Sequence, residues 1–272
     1  MSMPDFQSKK PLKKFGQNFL TNPYYQQKIV SALDIQHSDN ILEIGPGKGA
    51  LTELIMQAAC QRFWAVEIDR RWSEDLRRKF THKIKVIEDD FLNLDLNDFF
   101  KEGDEKLKVI GNIPYNITSP ILFKLIDNFR IVKTAVLMTQ KETAERIAAL
   151  PGSKDYGILS VISQTYGRVE FLFHVKRGNF FPVPSVDSAV LRIDFFNEIN
   201  GVDNTDLFRQ LVRGAFNYRR KMLRNSLSRI FDKSVVNSLN SAFLEARPES
   251  LSVQDFKNLA NEINSLTGQR ND

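Results

Sequence analysis

The sequence predicts an α/β fold: a mostly parallel sheet with helices on both faces, followed by a small all-α domain. Three observations carry this. Short apolar runs alternate with helix-length segments from Asn40 to about Ala149, the rhythm of strand–helix–strand units. The first run ends in a glycine-rich turn, Glu43-Ile44-Gly45-Pro46-Gly47-Lys48-Gly49, that leads into a helix. Strand signal disappears after Asn197-Glu198-Ile199-Asn200-Gly201, and residues from about Asn204 onward read as helical.

Taken in order, residues 1–21 form a basic arm carrying Lys9, Lys10, Lys13 and Lys14, which runs into Phe15-Gly16-Gln17-Asn18-Phe19-Leu20. Asn22-Pro23 is a helix start, with a capping side chain and proline in the first turn. Strands are expected at Ile41–Ile44, Phe63–Ile68, Ile84–Ile87, Leu107–Ile110 and Ala135–Met138. Helices are expected at Ala50–Ala59, Arg71–Phe80, Pro120–Asn128 and Glu142–Ala149. Val169–Val175 and Ser188–Phe195 have strand character, the mark of an antiparallel edge on the sheet. Between them, Phe180-Phe181-Pro182-Val183-Pro184 is expected to be irregular because of its prolines. A frayed tail is expected from Thr267. The expected domains are the arm (1–21), a catalytic domain (22–200) and a helical C-terminal domain (201–272).

Composition bounds the function. The 272 residues are 42% hydrophobic and 26% charged, ordinary for a globular protein. Lys and Arg number 38 against 33 Asp and Glu, a net charge of +5 that leans toward a polyanionic partner. Cys60 is the only cysteine, so neither a disulfide within the chain nor a cysteine metal cage is possible, and a reducing compartment, the cytoplasm, is expected. Neither a secretory signal nor a membrane-spanning run is seen. His37, His82 and His174 are scattered and receive no role, and nothing in the sequence supports a metal site. A monomer is expected.

The glycine turn is spaced Gly-x-Gly-x-Gly. It matches neither the Gly-x-Gly-x-x-Gly turn of dinucleotide enzymes, which disfavours a nicotinamide dehydrogenase, nor a nucleotide-triphosphate loop. Glu43, two residues before Gly45, would sit badly beside a pyrophosphate but well beside a cation. S-adenosyl-L-methionine carries a sulfonium and an ammonium and no phosphate. Glu67 ends the second strand, where a carboxylate can accept both ribose hydroxyls, and Asp90 follows the third, where it can meet an adenine amino group. Glu67, Asp69 and Asp90, each taken alone, also fit a helix cap or a solvated strand end. Lys48 reads as a solvated loop lysine.

Asn112-Ile113-Pro114-Tyr115 closes the fourth strand. Tetrapeptides of the Asn/Asp-Pro-Pro-Tyr/Phe type mark methyltransferases that act on exocyclic amino groups. An aromatic amine is a poor nucleophile because its lone pair is delocalised. Two acceptors on its N–H groups, the Asn112 side-chain oxygen and the carbonyl of Ile113 or Pro114, would draw the nitrogen toward sp³ geometry. Tyr115 would stack on the base. Such a reaction needs positioning and electrostatics more than a strong base. Phe180 is a candidate for the second wall of a base sandwich, or a core residue anchoring its loop. From Arg209 to Phe231 the chain carries seven basic residues and no acid, among them Arg209, Arg213, Arg219, Arg220, Lys221 and Arg224, interleaved with Phe216 and Tyr218. This is a candidate RNA surface or a solvated face.

Across almost its whole length the chain resembles the KsgA/RsmA group of rRNA adenine dimethyltransferases. The matching stretches are Phe15–Leu20, Leu42–Thr52, Glu67–Asp69, Asn112–Ser119, Gln140–Glu142, Ser153–Val161, Phe180–Val190 and Ala215–Leu227. Ile113 stands where the group often has Leu, at a position that offers mainly backbone. The resemblance implies a Rossmann-like class I methyltransferase sheet. It implies that Asn18 and Leu20 close over the cofactor, and that Gly45, Gly47, Glu67, Asp90 and Asn112 line its site. It also implies that two adjacent adenosines near the 3′ end of 16S rRNA each receive two methyls. Relatives acting on the large subunit share the first domain without the arginine-rich run. A ribosome-assembly factor, docking more than methylating, is the competing class.

Overall fold

The computed structural model describes residues 9–12, 15–81, 83–219, 221–239 and 242–268. Lys13, Lys14, His82 and Arg220 therefore lie outside the described residues. The chain divides into two compact units, Met1–Ala144 with Val169–Phe196 and Glu145–Arg168 with Asn197–Asp272.

The first unit begins with a two-residue strand, β1 (Phe19–Leu20), and α1 (Pro23–Ser31). Asn22 caps α1 through its side chain, which accepts from the Tyr24 N–H, and Pro23 occupies the first turn. Strand and helix then alternate: β2 (Asn40–Ile44), α2 (Ala50–Gln57), β3 (Arg62–Glu67), α3 (Arg70–Lys79), β4 (Lys85–Glu88), β5 (Leu107–Asn112), α4 (Thr118–Asp127) and β6 (Val132–Gln140). All five residues of β2 are buried, as a central strand covered on both faces requires. Next, α5 (Lys141–Ala148) spans the division between the units, and α6 (Ile158–Tyr166) lies in the second. The chain returns through β7 (Gly167–Val175), β8 (Phe180–Phe181) and β9 (Ser188–Phe195).

The seven-stranded sheet has the order β4-β3-β2-β5-β6-β9-β7. Strands β2 to β6 pair in parallel, and β9 runs antiparallel to β6, as expected for a late edge. Register decides what meets at the carboxyl end. Ile44 of β2 is level with Val66 and Gly111, so Glu67 and Asn112 follow on either side of Gly45. One expectation is corrected here. Phe180-Phe181 is not irregular: it pairs antiparallel with β1, Leu20 opposite Phe180 and Phe19 opposite Phe181. The prolines begin one residue later, so both N–H groups remain able to pair.

The second unit also contains α7 (Thr205–Asn217), α8 (Leu223–Leu227), α9 (Lys233–Ser238) and α10 (Val253–Gly268), with two single-turn helices, Ala242–Glu245 and Pro248–Ser250, before α10. Phe208, Leu211, Val212 and Ala215 of α7 are buried, as are Phe256, Leu259 and Ile263 of α10. The division expected at Asn200 left residues 145–168 in the catalytic domain. They cluster instead with the C-terminal helices, because α6 packs on α7 and Tyr156 meets Phe216 at 6.0 Å. Of the tail expected from Thr267, Thr267 and Gly268 belong to α10, the Thr267 hydroxyl bonded to the Ile263 carbonyl at 2.9 Å, and residues 269–272 lie outside the described residues. Among the described residues no helix is long and apolar enough to cross a membrane.

Candidate active site

The glycine turn is built from left-handed backbone. Gly45 (φ +64°) donates its N–H to the Val66 carbonyl at 2.9 Å, which ties the turn to β3. Gly47 (φ +54°) donates to Glu67 Oε2 at 2.9 Å. A Cβ at Gly47 would stand 2.6 Å from the Phe19 ring, so only glycine admits both this backbone and this neighbour.

The acids at the strand ends have different surroundings. Glu43 is 1% exposed, and Thr52 on α2 donates to its Oε2 at 2.6 Å. Burial, opposed by the Thr52 hydrogen bond and reinforced by the nearby Glu67, pushes its carboxyl up to about 8. A buried acid with no cationic partner among the described residues fits a cationic ligand. Glu67 is also buried, and burial raises its pKa although the Asp69 and Gly47 N–H groups hold its two oxygens at 2.9 Å. Asp90 accepts from the Leu92 N–H at 2.9 Å and caps the short turn Phe91–Asn93, while its Oδ2 has no hydrogen-bond partner among the described residues. Asp69 caps α3. Burial works against its ionisation, but bonds from Arg71 and Gln17 outweigh this and hold its carboxyl below the usual range. The capping that each acid alone would also fit is thus seen at Asp69 and Asp90.

The tetrapeptide lies across Gly45 from Glu67. Asn112 donates through Nδ2 to the Asn18 carbonyl at 2.8 Å, which leaves Oδ1 as an acceptor without a donor among the described residues. Ile113 sends its N–H to the Met138 carbonyl at 2.9 Å, and its own carbonyl has no donor among the described residues. The Pro114 carbonyl already accepts from Ile117 N–H at 3.1 Å and Thr118 Oγ1 at 3.4 Å. Of the two carbonyls left open by the sequence, that of Ile113 is therefore the available one. Tyr115 Oη and Ser188 Oγ are 2.8 Å apart, which fixes the ring, and burial raises the phenol pKa.

The arm crosses this site. Gln17 donates to Asp69 at 2.8 Å, and Asn18 bonds the Gly16 carbonyl through its own side chain at 3.2 Å. Phe19 lies over Gly47 and edge-on to Trp72 at 5.3 Å, dividing the space beside Asn112 in two. One cleft is bounded by Asn18, Glu67 and Tyr115, the other by Leu20, Glu43 and Leu51. Phe180 is 3% exposed and belongs to the core with Leu20, the bland alternative for that residue, while the exposed ring at that corner is Phe181. Sequence reasoning missed Phe19, Thr52 and Ser188. Phe19 sits inside a motif whose neighbours were singled out, but nothing local to Thr52 or Ser188 announces its contact.

In the helical unit the basic run is divided between α7, α8 and the segment that joins them. Arg213 and Lys221 are exposed. Arg209 donates to Tyr166 Oη at 3.0 Å, Arg219 lies 3.7 Å from Glu249, and Arg224 pairs with Glu245 at 3.0 Å. The run is therefore not one free basic face: acids later in sequence draw two of its arginines down.

Sheet order, glycine turn and strand-end acids together define a class I methyltransferase, a fold whose members use S-adenosylmethionine. Residues 8–265 match the family described as ribosomal RNA adenine dimethylase, and the chain belongs to that family. Among similar proteins is a "Ribosomal RNA small subunit methyltransferase A" of Chlorobium phaeobacteroides (strain BS1), 48% identical over 93% of this chain and 94% of that protein. Another of the same name, from Geobacter metallireducens, is 40% identical over 94% and 97%. A dimethyladenosine transferase from Plasmodium falciparum superposes with a TM-score of 0.79 at 28% identity, over 91% of this chain and 98% of that one. The 23S rRNA methyltransferase ErmE gives 0.66 at 25% identity, over 90% and 99%. The chain is an rRNA adenine dimethyltransferase.

Proposed function

We propose that the chain dimethylates N6 of two adjacent adenosines near the 3′ end of 16S rRNA, within the small ribosomal subunit or its precursor. The names of its relatives support the choice of subunit. In this reading it acts as a monomer in the cytoplasm, where the subunit is assembled. The observation that carries the chemistry is the pair of free acceptors, Asn112 Oδ1 and the Ile113 carbonyl, at the end of β5.

When bound, S-adenosylmethionine supplies an electrophilic methyl on a sulfonium. Glu43 would face its cationic amino-acid end and Glu67 its ribose, with Gly45 and Gly47 allowing close approach. Asp90 would take the adenine amino group on its free oxygen, and Asn18 and Leu20 would close the cover. Asn112 and Ile113 hold the target N6–H groups, Pro114 fixes the turn and Tyr115 stacks on the base. Phe180, assigned the second wall, lies beneath the surface here and would reach a base only once β1 and β8 shift. Arg209, Arg213, Arg219, Arg220, Lys221 and Arg224 would contribute phosphate contacts, most directly the exposed Arg213 and Lys221.

Labelled methyl transfer to undermethylated small subunits, followed by nucleoside analysis, tests the reading. N6,N6-dimethyladenosine near the 3′ end is expected. Asn112→Ala should lower kcat by about a hundredfold or more while S-adenosylhomocysteine still binds. Label confined to large-subunit RNA would refute the substrate. No transfer to any RNA would favour the assembly factor.

A further inference from the structure

The outer rim of the cleft carries a cation and a bare ring with no role in the chemistry above. Lys48 is half-buried rather than a solvated loop lysine. Its ammonium lies 5.2 Å from the Phe19 ring centroid, 5.9 Å from Phe181 and 6.0 Å from Trp72. It forms no ion pair or hydrogen bond among the described residues. Phe19 and Phe181 are direct partners in the β1–β8 register, so their side chains share one face. Phe19 borders the cleft beside Asn112, whereas Phe181 is 58% exposed. That face therefore leads out of the cleft and ends in an uncovered ring with an unneutralised charge beside it.

A single exposed phenylalanine is ordinary. A ring and an unpaired cation side by side at the mouth of a nucleobase site match the two parts of one nucleotide. Single-stranded RNA is held by stacking bases on aromatic faces and pairing phosphates with lysine or arginine. We propose that Phe181 and Lys48 hold the nucleotide adjoining the target adenine, Phe181 by stacking on its base and Lys48 by pairing with its phosphate. The inference rests on the function proposed above. Charge complementarity selects RNA: the chain is +5 overall, and the lysine lies near aromatic rings without pairing with Glu43.

The test uses the full chain with undermethylated small subunits, measuring KM, kcat and their salt dependence, and with S-adenosylhomocysteine, measuring Kd by calorimetry. Phe181→Ala should raise KM for the subunit roughly tenfold, within the five- to hundredfold range of a lost stacking contact. Phe181→Trp should restore it. Lys48→Met keeps the aliphatic stem but not the charge. It should raise KM several-fold and flatten the slope of log KM against log salt by a little under one. None of the three should change the S-adenosylhomocysteine Kd more than about twofold. Weaker S-adenosylhomocysteine binding by Lys48→Met would overturn the inference and give the lysine to the cofactor carboxylate. So would an unchanged subunit KM in both Phe181→Ala and Lys48→Met. If the wild-type chain transfers no methyl to the subunits, the function itself falls; if it does and the variants match it, only this inference falls.

Discussion

Glu43 is sealed at the end of β2, with Thr52 as its hydrogen-bond donor. Its folded pKa of about 8 lies above the reference 4.5, so between these values the folded chain keeps a proton that the unfolded chain releases. The resulting penalty is absent below pH 4.5, grows as pH rises and levels off above about 8. Glu43→Gln should therefore melt at a higher temperature than wild type at pH 8.5, with the advantage vanishing near pH 4.5. Equal shifts at both pH values would contradict the burial argument. A cationic ligand favours the ionised form, so wild-type affinity for S-adenosylmethionine should rise from pH 6 to 8, and Glu43→Gln should flatten that profile. At this scale the sequence was informative about charge: acids at successive strand ends announce a ligand by number and spacing. It was silent on partners brought from other segments. The acceptor that orients Asn112 is a carbonyl 94 residues earlier, and the choice of the Ile113 carbonyl follows from a turn that only the fold reveals.

At Gly111, β2 and β5 leave no room for a side chain. A Cβ there would stand 2.7 Å from the Ile44 carbonyl and 2.8 Å from Ile113 Cδ1. Gly111→Ala should force β2 and β5 apart, costing about 1–3 kcal/mol in chemical denaturation, as overpacking does. It should also lower kcat, because Asn112 is the next residue along the strand. Full activity in the variant would mean that the strand pair tolerates the shift without moving Asn112. The central strands were legible as continuous apolar runs between turn residues. The β1–β8 pair was not, since two residues carry no period, and the nearby prolines pointed away from pairing. Nor was α6, whose Ser160, Val161, Ile162, Ser163, Thr165 and Tyr166 are all buried. A helix enclosed on most of its circumference shows no apolar stripe, and its β-branched residues suggest a strand.

Taken as a whole, the molecule is only mildly basic, so its grip on RNA depends on which charges reach the surface. Arg213 and Lys221 are exposed, whereas Arg219 and Arg224 are drawn to Glu249 and Glu245. Replacing Arg213 and Lys221 with Ala should make the salt dependence of small-subunit binding shallower by roughly 1.5 in log–log slope. An unchanged slope would place the RNA elsewhere. Net charge was readable from composition, but its neutralisation by acids tens of residues away was not. The division into units has a consequence for taking the protein apart. Residues 145–168 leave the sheet unit and return to it, and their buried Tyr156, Val161 and Ile162 belong to the cluster that α7 and α10 complete. Cutting the chain after Phe196 would not release a self-sufficient enzyme. It would leave a greasy stump in mid-chain, prone to stick to its own kind, so any hybrid grafting another C-terminal region onto this sheet must carry the 145–168 excursion along with it.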